Sequence, residues 1–221
     1  MGKKKQAAGE REQAEWQLAQ DWVSWLSAGN QPQALTIHGL VLEQGEIAYL
    51  SAPMHYARLY GGSGQYNHSG GFAFGKPGFV LGMMAANAAI NASRRNAARK
   101  DMQPLWRELQ ELPTVVTNYR IMCHQPPRGW LSFYYGAVQE FYPDPANWTV
   151  TYGFDSAEPL RLGGLAAPTL AVLSAWCILG VDRWQHDPGL APLMHAAQVR
   201  QLEGQGWPQL EADRPRIPGQ D

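Results

Sequence analysis

The stretch GGFAFGKP at 70–77 has the spacing of a nucleotide-phosphate loop, G-x-x-x-x-G-K followed by Ser or Thr. Such a loop works because backbone N–H groups cradle phosphate, the lysine reaches an outer oxygen and the hydroxyl holds magnesium. Here Pro77 supplies neither the hydroxyl nor a backbone donor. The preceding Tyr66, Asn67, His68 and Ser69 are not the buried apolar strand that should feed such a loop. Nucleotide hydrolysis is rejected, and Lys76 with the helix start beyond it remains a weak anion contact.

Other reactive groupings are equally incomplete. His186, Asp187 and His195 form the one local set of metal-type ligands, but no two histidines stand four apart on a helix as a zinc site needs. They read as surface residues. Cys123 and His124 are adjacent on a strand and point to opposite faces, so they make a poor nucleophile and base. GGSGQ at 61–65 lacks the second glycine of a nucleophile elbow. Asn67-His68-Ser69 and Asn147-Trp148-Thr149 are formal glycosylation sequons that matter only on a secretory route. An enzyme would need polar groups such as Tyr119, Arg120, His124 and Glu140 converging in an apolar pocket, and nothing in the spacing joins them. The sequence therefore predicts a protein that is not an enzyme and needs no cofactor and no metal.

Charge offers one candidate contact. Arg94, Arg95, Arg99 and Lys100 close an alanine-rich helical stretch predicted over 79–100, and with Lys76 they could hold an anion or an acidic headgroup. Basic residues at a helix C-terminus also simply complement its dipole. Gly78, Gly82, Ala86 and Ala89 form a small-residue ridge suited to close helix contact. A second apolar run, 163–181, carries no charge at all until its end. Its early Gly, Ala and Pro168 leave about a dozen good helical residues, short of the roughly 20 a bilayer span requires, so a buried helix is expected.

With 221 residues, 45% hydrophobic and 11% aromatic, the chain has enough apolar matter for a sizeable core. A formal net charge of -1 provides no global field for nucleic acid or anionic membrane. The two cysteines, Cys123 and Cys177, read as reduced buried thiols, and the N-terminal MGKKKQAAGEREQ has no apolar signal core. Gln6 stands where myristoylation after Gly2 wants Ser or Thr. A cytoplasmic location follows, with peripheral attachment at the inner face of the membrane as its variant.

The elements that must position any site follow from periodicity. A helix is predicted over 10–28, with Trp16, Ala19, Val23 and Leu26 on one face and a stop at Gly29-Asn30. Beyond the Gln44-Gly45 turn an extended run covers 46–60, interrupted at Pro53. A glycine-rich loop over 61–78, the 79–100 helix and a short helix over 104–112 follow. The clearest pattern is a hairpin over 114–135: one strand with Val115, Thr117, Tyr119 and Ile121 on one face, a Pro126-Pro127-Arg128-Gly129 turn, and an aromatic return strand. Strands over 137–142, 148–154 and 160–162, a helix over 168–179 stopped by Gly180, and a helix over 188–202 complete the order. The parts are then an N-terminal helix (1–30), a main domain (31–182) with a helical insertion (61–112), a C-terminal helix (183–203) and a flexible tail (204–221).

GEIAYLSAP, then VVTNYRIM, GWLSFYYGAVQEF and WTVTYGF with a final apolar helix, resemble bacterial pleckstrin-homology-like (PH/GRAM-like) domains over 39–180. Thr117-Asn118-Tyr119-Arg120-Ile121 matches that group's vTnxRl strand, which follows an xGE strand. The resemblance implies an α+β fold: a small, strongly bent antiparallel barrel closed by a C-terminal helix, here with an N-terminal helix and inserted helices. It also implies binding of a phosphoinositide, another lipid or a protein, with Arg58, Lys76 and the 94–100 cluster the nearest basic candidates. The leading expectation is a binding module with a protein partner and no nucleic acid. The alternatives are anionic-lipid association through the inserted helix, and an enzyme with a pocket inside the barrel.

Overall fold

The computed structural model describes residues 2–61 and 104–202, with side chains from residue 5 onward. Seven strands form one antiparallel sheet, curled into a half-barrel, in the order β4-β3-β2-β1-β7-β6-β5. They are β1 (Ala48–Tyr60), β2 (Leu105–Thr117), β3 (Arg120–Gln125), β4 (Gly129–Tyr134), β5 (Val138–Asp144), β6 (Thr149–Phe154) and β7 (Leu160–Gly163). Three helices accompany them: α1 (Gly2–Ser27), α2 (Ala167–Leu179) and α3 (Ala191–Leu202). The α+β class and the bent antiparallel sheet are as the sequence predicts.

β1 ties the sheet together. It pairs with β2 along almost its whole length and, over His55–Arg58, with β7 on its other side. Pro53 faces Pro113 just outside the stretches where β7 and β3 add their own bonds, so neither missing N–H costs a bond to those outer strands. The strand therefore runs through Pro53 where an interruption was expected. Between Tyr56 and Arg58 the register slips against β2, and Glu108 opposite takes a left-handed backbone, φ 56°. That bulge bends the sheet.

The inner face of the sheet is filled by α2. Ala167 to Ala175 are all buried, and so are Val150, Tyr152, Leu160 and Leu162 beneath them. Tyr152 and Ser174 share a 2.7 Å hydrogen bond inside this layer, and burial pushes the Tyr152 phenol far above its ordinary pKa. Gly180 ends the helix at φ 79°, a conformation that favours glycine. The uncharged run at 163–181 is thus a strand end and a buried helix, and among the described residues no helix is long and apolar enough to cross a membrane. α1 buries Ala19, Val23 and Leu26, the predicted stripe, and α3 buries Leu193 and Ala197, all within the same core. On the outer face, Leu35, Ile37, Leu40 and Leu42 cover Ala48, Val115 and Met122.

Three readings need correction. The predicted strand through 114–122 is two strands: β2 ends at Thr117 and β3 begins at Arg120. Thr117 Oγ1 accepts from the backbone N–H groups of Tyr119 and Arg120, and this local bonding turns the chain. The predicted helix over 104–112 is the first part of β2. Leu105, Leu109 and Leu112 have helical spacing, yet Leu105 and Leu109 are exposed, and pairing with β1 overrides local propensity. α1 also begins earlier than expected, at Gly2, with residues 5–14 exposed. The expected glycine-rich loop, the 79–100 helix and the 204–221 tail lie outside the described residues.

Both thiols are free. Burial pushes the Cys123 and Cys177 thiols up to about 12, which leaves them unreactive at neutral pH. Neither should react with a bulky aromatic disulfide in the folded chain, while both should in urea. Fast labelling under native conditions would contradict this packing.

Candidate functional site

The residues that carried the family resemblance meet in space. Glu46, of the GE pair just before β1, has a fully buried carboxylate gripped in two places by Arg120, the first residue of β3: Nε to Oε1 at 2.9 Å and Nη2 to Oε2 at 2.8 Å. Thr117 Oγ1 donates to the same carboxylate at 2.8 Å. Asn118 completes the join, accepting from the Ile47 N–H at 2.8 Å and donating to the Gly45 carbonyl at 3.0 Å. Gly45 sits at φ 77°, and a Cβ there would lie 3.0 Å from the Tyr119 hydroxyl, so the turn requires glycine. Arg120 Nη1 reaches Tyr134 Oη at 2.7 Å, Ser132 Oγ at 3.2 Å and Glu43 at 3.0 Å, and the Tyr134 hydroxyl bonds Glu43. Burial alone would raise the Glu46 pKa; the hydrogen bonds from Arg120, the Glu43 N–H and Thr117 outweigh it and hold the carboxyl below the usual range. Arg120 engages both Glu43 and Glu46, which makes the cluster a fastener between the 43–47 turn and β3–β4.

A second polar group lies at the end of the half-barrel where β1 finishes. Arg58 stacks 5.0 Å from the Phe133 ring and bonds both the backbone carbonyl and the carboxylate of Glu158. Glu108 receives Tyr60 Oη at 3.3 Å and Gln125 Nε2 at 3.1 Å, with Arg128 3.7 Å away. Arg58, a candidate anion contact, is thus committed to Glu158. Lys76, Arg94, Arg95, Arg99 and Lys100 all lie outside the described residues, between β1 and β2 in sequence.

The four residues suggested for a barrel pocket are dispersed in role. Tyr119 is exposed at the β2–β3 turn, Arg120 belongs to the fastener, His124 lies edge-on to Trp130 at 5.1 Å, and Glu140 stands on β5 opposite Gly153. A shallow groove of about 420 Å³ does exist, lined by Glu12, His55, Leu109, Trp148, Arg161 and Leu165 among others, and it contains none of the four. Among the described residues no three His, Cys, Asp or Glu side chains converge to hold a metal.

The two free edges of the sheet differ in kind. β5 carries Glu140, Asp144 and Pro143, and the turn at Pro188–Leu190 lies so close that a Cβ on Gly189 would fall 2.3 Å from the Pro143 carbonyl. Charge, proline and cover are the usual guards of an edge. Among the described residues β4 has no such guard. Its sequence, GWLSFY, is uncharged and proline-free, and among the described residues it pairs with β3 alone. Leu131 and Phe133 face the core, while Trp130 and Tyr134 remain 38% and 41% exposed on the other side.

No family model, curated protein or solved structure matches this chain. Function must therefore be argued from the edge itself. The sequence reading recognised β4 as a strand and missed that it ends the sheet; its one signal was a six-residue aromatic strand free of charge and proline.

Proposed function

We propose that this chain is a non-enzymatic interaction module of pleckstrin-homology-like type that binds a protein partner by adding an extended segment of it to β4. The observation that carries the reading is that, among the described residues, the β4 edge is unguarded while the β5 edge at the other end of the sheet is guarded. An open strand edge offers a row of backbone donors and acceptors to an incoming strand, and side chains on either face add selectivity. The pleckstrin-homology-like assignment is supported by the bent antiparallel sheet, by the apolar helix that follows its last strand, and by the bonding of Glu46 to Thr117 and Arg120. Arg120, Ser132 and Tyr134 hold β4 in place from its outer face, so the edge is presented on a stiff support.

The test is selection of peptides from a random library on the purified chain, followed by backbone N-methylation of the peptides recovered. In a strand that pairs on one side, only every second N–H enters the ladder. N-methylation in one phase should abolish binding and in the other phase leave it unchanged. Peptides that tolerate both phases, or none recovered by the monomeric chain, would overturn strand addition.

A further inference from the structure

We infer that the strand added at β4 comes from a second copy of this chain, in an antiparallel pairing centred on Ser132; this rests on β4 being an open edge. In antiparallel pairs directly opposed residues share a face, so a self-pairing strand must match residues of the same parity. Centring on Ser132 sets Trp130 opposite the partner copy's Tyr134, and Tyr134 opposite its Trp130. Both side chains are exposed on the same outer face in the single chain. Ser132 meets its own copy between these two aromatic pairs, and on the inner face Leu131 meets Phe133. Cross-strand aromatic pairs are among the more favourable sheet contacts.

The charges fit a twofold arrangement as well. β4 holds no charge, so no like-charged pair forms where the strand meets itself. Exposed Arg128 stands just before β4, and half-exposed Glu43 is bonded to Tyr134 at its other end. Antiparallel pairing brings each basic end to the other copy's acidic end. Arg128's present ion pair, 3.7 Å from Glu108 and 62% exposed, is loose enough to be exchanged. Closed twofold symmetry makes one patch serve as both halves of the interface and uses up the open edge.

Sedimentation velocity of the full chain from low micromolar to submillimolar concentration should show a monomer–dimer equilibrium. Ser132→Lys, which places two like charges on the axis, should shift it at least tenfold toward monomer with unchanged circular dichroism. Ser132→Cys should give a disulfide-linked dimer on mild oxidation, whereas Gln139→Cys on β5 should not. That small substitution keeps the test valid if the lysine variant fails to fold. A monomer at all concentrations that still binds N-methylation-sensitive peptides would overturn the second-copy inference and leave the β4 edge reading standing. A monomer that binds no peptide would overturn both, and a dimer indifferent to Ser132 would place the interface elsewhere.

Discussion

Arg120→Ala is expected to destabilise the fold by about 3–5 kcal/mol, the usual loss when one partner of a buried ion pair is removed. The substitution leaves a carboxylate with 0% side-chain exposure on Glu46, held by Thr117 Oγ1 and the Glu43 N–H alone. It also strips Ser132 and Tyr134 of their common donor. Natural domains are stable by about 5–15 kcal/mol, so this single change takes a large share of the total. Arg120→Lys should recover only part of it, because an ammonium cannot reproduce the two-pronged contact with Glu46. Urea unfolding of the three proteins measures the series, and a loss for the alanine variant no larger than that of an exposed residue would refute the fastener.

The same site predicts a dependence on pH. Glu46 has its folded pKa held below the usual value, so its stabilising contribution is present at neutral pH and is lost as pH falls through that depressed pKa. In Arg120→Ala the largest lowering influence is gone and burial is opposed by the Thr117 and Glu43 hydrogen bonds alone, so protonation of Glu46 in acid costs the variant less than it costs wild type. The stability gap between wild type and variant should narrow as the medium is acidified toward the carboxylate range. A gap of constant size from neutral to acidic pH would show that Glu46 and Arg120 are not coupled.

Trp184→Ala is the other large effect, expected at about 3–5 kcal/mol from lost burial and the cavity left behind. Trp184 is wholly buried and lies in the turn Trp184–His186 between α2 and α3, inside the core that also takes in α1. Its indole N–H is buried and meets no acceptor among the described residues. An unmatched buried donor costs about 1–3 kcal/mol, so Trp184→Phe both loses ring volume and removes this penalty. The phenylalanine variant should therefore lose less than half of what the alanine variant loses. Equal losses in urea unfolding would mean that the indole N–H is satisfied or that the ring is not packed as described.

Much of the element order was legible because it depends on neighbours in sequence. The stripe of Ala19, Val23 and Leu26, the alternation of Val150 and Tyr152, and the stop at Gly180 all read correctly, since periodicity reports a buried face directly. Two misreadings share a cause. Leu105, Leu109 and Leu112 repeat like a helix, and 114–122 alternates like one strand, but in both cases pairing and turn chemistry decided against the local pattern. β1 imposes an extended partner on 105–112, and Thr117 with Asn118 closes a turn that no apolar period reveals.

The sequence by itself determined the α+β class of this protein, through helices with apolar stripes and strands with a half-buried alternation. Only the tertiary structure decided what the GE and TNYR segments do. Glu46 and Arg120 are 74 residues apart, and their bond exists because β1 and β2 are paired in one register, which no local propensity specifies. Whether a strand is interior or edge is set by strand order across the whole sheet. That long-range order leaves GWLSFY, an ordinary aromatic strand when read alone, as the one unguarded edge among the described residues.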